Sequence, residues 1–97
     1  MNNTYYIRDA ATVSRRIGDE TVLVPVRQNI GDLESIYTLN GVAAALWDRL
    51  EAPQTVEALA ASLAAEYEVT PPQAASDVQA FLAEMASLRL VEVQDHV

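Results

Sequence analysis

Few residues in this sequence could do covalent or metal chemistry. There is no cysteine, which removes disulfides, thiolate metal sites, iron–sulfur clusters and cysteine nucleophiles together. The single histidine, His96, stands one residue from the end, so no His/Cys metal cluster can be assembled and no metal or other cofactor is expected. Glu66 and Glu68 are close in sequence, but two apart on a helix they point away from each other, as on a solvated face, and do not form a general acid/base dyad. Asp9, Asp32 and Asp48 can each accept a proton, yet nothing in the pattern pairs with them. Arg15-Arg16 could grip a carboxylate, but neighbours on a strand point to opposite faces. Gly18, Gly31 and Gly41 are scattered, so no glycine-rich phosphate cradle exists. The chain is predicted not to be an enzyme.

What remains is a scaffold. The 97 residues are 51% hydrophobic and 21% charged, an ordinary globular mix. A chain of this size buries roughly two-thirds of its unfolded surface, enough for one core. A single domain over residues 1–97 is expected, with its core over 13–93. Fourteen acidic residues against six basic ones, all arginine, give a net charge of −8. That field repels phosphate backbones and anionic membranes, so neither nucleic acid nor membrane is an expected partner. The longest purely apolar run, Val42 to Trp47, is far short of a membrane span. The opening MNNTYYIRDA lacks the basic-then-apolar layout of a signal peptide, which predicts a soluble cytoplasmic protein.

The composition changes near residue 39. Before it β-branched and aromatic residues dominate, and after it alanine and leucine do. Val13–Ile17 reads as a strand, Gly18-Asp19 as a tight turn, and Thr21–Val26 as a second strand with Pro25 near its end. Leu33–Thr38 reads as a third strand, and the short connections favour an antiparallel meander. Ile36 and Tyr37 fall on opposite faces, and Tyr37, sharing parity with Leu39, is the one expected to face inward. Asn40 is an expected helix N-cap, and Leu39, Val42, Ala43, Leu46 and Leu50 repeat at helical spacing around and after it, with Pro53 as the stop. Thr55 caps a second helix with the stripe Val56, Leu59, Ala60, Leu63 and Tyr67. Thr70-Pro71-Pro72-Gln73 signals a third, with a capping box from Thr70 and Gln73. Its stripe is Ala74, Val78, Phe81, Leu82, Met85 and Leu88, and Leu90–Val93 adds a short extended tail. The order predicts an α+β fold of winged-helix-like type, a three-stranded antiparallel sheet followed by three helices.

Such a fold invites a DNA-binding reading, as a winged-helix regulator. Pro71–Leu90 argues against it: it carries Asp77 and Glu84, no base before Arg89, and only Gln73 and Gln79 to read bases. A three-stranded sheet does leave an edge of unpaired amides and carbonyls that can accept another strand. With an amphipathic helix beside that edge, the two make a groove. The alternative for Ile36, Tyr37, Val78, Phe81 and Met85 is that they are simply core. The free edge could also pair with a second copy, as a structural dimerisation module.

The residues carry a resemblance. Ser35-Ile36-Tyr37-Thr38-Leu39-Asn40-Gly41-Val42-Ala43-Ala44-Ala45-Leu46-Trp47-Asp48 resembles the hydrophobic-LN…W signature of the PqqD family. Thr55-Val56-Glu57-Ala58-Leu59, Leu63 to Tyr67, and Asp77-Val78-Gln79-Ala80-Phe81-Leu82 followed by Leu88-Arg89-Leu90-Val91 resemble its later segments, in order and at the right spacing. The likeness spans residues 13 to 93. Arg89-Leu90 stands where many members have a glycine, and the Arg27–Asp32 loop is longer than in compact members.

This resemblance implies a peptide-binding chaperone that recognises the leader of a ribosomally made, post-translationally modified precursor peptide. It implies delivery to a modifying enzyme, commonly a radical S-adenosylmethionine enzyme, in pyrroloquinoline quinone or other peptide pathways. The leader is expected to add as a strand on Leu33, Glu34, Ser35, Ile36, Tyr37 and Thr38, and to lie against Ala74, Val78, Phe81, Leu82 and Met85. The protein itself is expected to be a monomer or weak homodimer. If Met85 lines the groove, Met85→Ser is expected to weaken leader binding by about 1–2 kcal/mol with little loss of stability.

Overall fold

The computed structural model describes residues 3–26 and 36–96. The elements run β1 (Asn3–Arg8), β2 (Thr12–Ile17), β3 (Glu20–Pro25), β4 (Tyr37–Asn40), α1 (Gly41–Arg49), α2 (Val56–Glu66), α3 (Pro71–Ser87) and β5 (Val91–His96). β2, β3 and β4 form the expected antiparallel sheet in that order. Gly18 makes the β2–β3 turn with φ +62°, the positive value a two-residue hairpin needs at its first central position. The register stacks Ser14, Leu23 and Tyr37 in one inward row and Arg16, Thr21 and Leu39 in the next. Leu23, Thr21 and Leu39 are buried, so the period-2 alternation sets which face meets the helices.

The third strand of the sheet lies further along the chain than its sequence pattern suggests. It was expected over Leu33–Thr38; β4 occupies Tyr37–Asn40, and Ile36 lies just before it. Leu33, Glu34 and Ser35 lie outside the described residues. The shift arises because Leu39, counted above with the helical stripe, is the inward residue of the strand, packed opposite Thr21. Asn40 is still extended, with φ −139° and ψ 169°, and pairs with Glu20, so strand passes into helix without a loop. Asn40 sits at the N-cap position of α1 but makes no side-chain cap bond. The corner is made by Gly41 at φ +56°. Pro53 is not what ends α1: the helix closes at Leu50, whose amide donates to the Trp47 carbonyl.

The other two helices start where predicted. The Thr55 hydroxyl accepts from the Ala58 amide at 3.1 Å and the Thr70 hydroxyl from the Gln73 amide at 3.3 Å, with Pro71 in the first turn. The Gln73 side chain donates forward to Asp77 Oδ1 at 2.8 Å, so the expected capping box is formed from one side only. At the far end of α3 the Leu90 amide donates to the Met85 carbonyl (2.9 Å) and the Arg89 amide to the Ala86 carbonyl (3.0 Å). This Schellman motif places Arg89 at φ +63°, a position usually held by glycine.

The extended tail continues to His96 as β5 and pairs with β1, a strand not anticipated from the sequence. The result is a second, two-stranded sheet joining residues about ninety positions apart in sequence, such as Thr4 and Asp95. Leu23, Leu46, Trp47, Leu50, Leu59, Leu63, Val78, Leu82 and Leu90 form the centre of one shared core. The architecture is α+β, as expected, with the second small sheet added.

Candidate functional site

β4 is the element with the most to offer a ligand. Among the described residues it pairs with β3 alone, so its other edge presents unpaired backbone groups. It is short and rigidly set: pairing with β3 holds one side and the direct passage into α1 holds its end. α1 packs against it, whereas α3 packs against α2 and β5 and touches β4 marginally at most. The β4 edge and α3 are therefore separate walls around the same core, not a sealed pair.

Alternation divides the candidate strand residues between two sides. Tyr37 is half-buried and packs on the core, as its parity with Leu39 predicts; Ile36 is 58% exposed and Thr38 is exposed on the opposite face. A strand added to this edge would send alternate side chains toward the Tyr37 side and the Ile36 side.

The α3 candidates are divided in the same way. Ala74, Val78, Leu82 and Met85 are fully or almost fully buried and form part of the central core, so the core alternative weighed for Val78 and Met85 is how the structure places them. Each faces inward because the 74-78-82-85 spacing keeps it on one helical stripe. Phe81 differs: it is half-buried, packed on the core from one flank of that stripe. By helical periodicity Asp77, Glu84 and Leu88 share this flank, while Ala75 and Gln79 lie on the other. The second flank, with Val56, Ala60, Ala61, Ala64 and Pro71, bounds a shallow apolar cleft of about 440 Å³ between α2 and α3. Of the five α3 candidates, Phe81 alone offers substantial side-chain surface. Since Met85 is 4% exposed, Met85→Ser would put a hydroxyl into the core and cost stability, contrary to the expectation of a mild probe.

The core beneath the site is held by a residue that sequence reasoning passed over. Arg8, at the end of β1, stacks its guanidinium 5.1 Å from the centre of the Trp47 ring. Its Nε donates to the Trp47 carbonyl at 3.1 Å, and its backbone amide donates to the Leu50 carbonyl at 3.1 Å. A cation thus caps the C-terminal end of α1, where the helix dipole favours it. The signal was an arginine closing the run Tyr5-Tyr6-Ile7, too slight to separate from a surface charge. Arg15 and Arg16 do point to opposite faces: Arg16 pairs with Asp48 at 2.7 Å, and Arg15 lies on the outer side of the sheet. Arg49 donates to the Ala45 carbonyl at 2.8 Å and pairs with Glu66.

Among the described residues no group of three or more His, Cys, Asp or Glu could hold a metal ion, and no helix is long and apolar enough to cross a membrane. Comparison with known proteins gives a consistent picture. The solved structure of TbiB1 in complex with the TbiA(beta) leader peptide is similar to this chain at 29% identity and a TM-score of 0.77, covering 89% of this chain and 94% of that one. A lasso peptide synthetase B1 complexed with the leader peptide shares the fold, with a TM-score of 0.74 at 21% identity over 90% of this chain and 96% of that one. No curated protein sequence matches. The family model described as coenzyme PQQ synthesis protein D (PqqD) matches residues 20–91, so this chain, with its β4 edge and three helices, belongs to the PqqD family.

Proposed function

We propose that this protein is a non-catalytic adaptor that binds the leader segment of a precursor peptide and presents it to a modifying enzyme. The unpaired edge of β4, in a chain of this family, carries the reading. The leader adds as a strand along Tyr37–Asn40 and continues past Ile36 toward Leu33, Glu34 and Ser35. Its inward side chains rest near Tyr37 and Phe81, and Asp77 and Glu84 on the Phe81 flank favour a leader carrying Lys or Arg beside its apolar anchors. The solved complex of TbiB1 with the TbiA(beta) leader peptide, at 29% identity, supports leader binding by a protein of this fold. A radical S-adenosylmethionine enzyme is the partner we favour, in the cytoplasm, with residues 1–97 acting as one domain. The acidic α3 and the net charge of −8 weigh against DNA regulation.

The test is titration of the ¹⁵N-labelled protein with a synthetic leader of its cognate precursor. Shift changes should centre on Tyr37–Asn40 and Phe81. A leader N-methylated at its central amides should bind about tenfold more weakly, since it cannot complete the ladder. No binding would refute the function, and equal affinity for the methylated leader would refute strand addition.

A further inference from the structure

The sheet has a second face, and nothing among the described residues covers it. Its rows are Val13 and Val24, flanked by Ile36, then Arg15, Val22 and Thr38, then Ile17, Glu20 and Asn40. Val13 and Ile17 are each 56% exposed, Ile36 58% and Val24 37%. Three strands about 4.8 Å apart and three such rows make a patch on the order of 300 Å². Five of its nine side chains are apolar, and the largest apolar patch of a small domain is often functional. Arg15 stands in the middle row, exposed and without an ion pair among the described residues, whereas Arg16 and Arg49 are paired. In a chain of net charge −8 this face carries five apolar side chains, one cation, Arg15, on the outer strand β2, and one acid, Glu20, on the middle strand in the end row.

We propose that this outer face docks the modifying enzyme, through an apolar surface on that enzyme that carries a carboxylate opposite Arg15. The proposal rests on the adaptor function argued above. Three observations favour this occupant. A group of apolar side chains bordered by an unpaired arginine has the residue types enriched at interface hot spots, and its complement is an apolar, acid-bearing surface. The patch is small beside the roughly 800 Å² that each partner of a stable complex contributes, and a second copy would bring two chains of net charge −8 together. A small interface is sufficient when a tether raises the local concentration, as a precursor held by its leader here and by its core segment in the enzyme would do. Finally, the patch is continuous with the leader edge, since β4 contributes Thr38 and Asn40 to one and its free side to the other. Cargo and enzyme would then meet on adjoining surfaces of one sheet.

The experiment uses the intact protein, the tagged modifying enzyme that acts on the same precursor, and the synthetic leader, each titrated separately. Arg15→Glu and Ile17→Ser should weaken enzyme binding measured without leader by about tenfold or more, and Arg15→Lys should retain most of it. Leader affinity and the far-ultraviolet circular dichroism spectrum should not change. Unchanged enzyme binding in both variants would overturn the proposal. So would a parallel loss of leader affinity, which would assign the face to the peptide. A concentration-dependent dimer of the wild-type protein that is lost in Arg15→Glu would assign it to a second copy. Failure of the wild-type protein to bind leader, with enzyme binding intact, would count against the adaptor function and leave the docking face standing.

Discussion

The two sheets of this protein are built on opposite principles. In β2–β3–β4 the strands are close neighbours in sequence, one connection is a two-residue turn, and alternation separates a buried face from an exposed one. In β1–β5 the strands come from distant parts of the chain, and Thr4 through Asp9 are all half-buried with no alternation. The first sheet is specified by its own pattern. The second is specified by what it lies against: Tyr6 exchanges backbone hydrogen bonds with Gln54, and Arg8 and Asp9 donate to the Leu50 and Leu90 carbonyls. The contrast shows why one sheet can offer an edge and a face to partners. In the other sheet, β1 is committed to holding the helices.

Three substitutions test that contrast. Leu23→Ala, in the inward row of the patterned sheet and fully buried, should cost about 3 kcal/mol, read from denaturant midpoints. A much smaller loss would mean that the alternating pattern does not anchor the sheet. Arg8→Met keeps the side chain's bulk but removes the cation over Trp47 and the bond to its carbonyl. It should cost about 1–2 kcal/mol. The loss should appear as faster amide exchange at the end of α1 and in β1, with β2–β3 unchanged; exchange rising equally in both sheets would erase the distinction between them. Arg89→Gly should have the smallest effect, a gain of about 1 kcal/mol, because glycine meets the φ of +63° without steric cost. A loss instead would show that the Arg89 side chain, and not the turn, orients β5.

Legibility in the sequence follows the same division. Thr55, Thr70 and Pro71 announce two helix starts because capping is local chemistry, visible within four residues. The inward stripe of α3 was likewise readable from its 3.6-residue period, but period alone cannot distinguish a buried face from a ligand-facing one. Ala74, Val78, Leu82 and Met85 look the same in either role, and only the packing of α2 and β5 against α3 separates them from Phe81. Leu39 and Asn40 were misplaced for a related reason: the sequence LNG suits both a strand end and a helix start, and pairing with Glu20 and Thr21 resolves it toward the strand. β1 was missed because its residues gain their meaning from a partner almost the whole chain away. The free edge follows from strand count alone, because a three-stranded open sheet has an outer strand on each side.

The pairing of β1 with β5 has a consequence for how this domain can be joined to others. Asn3 stands opposite His96, so these two positions share one rung on neighbouring strands, about 5 Å apart. Polypeptide attached at either place emerges from the same corner, which belongs to the small sheet and not to the β2–β3–β4 sheet. A host protein could carry the unit as an insertion in one of its loops, paying almost no closure entropy and keeping the free edge and outer face of the larger sheet clear. Joined this way, the unit resembles a tool on a single handle, swung by its linker without any change to the working surfaces.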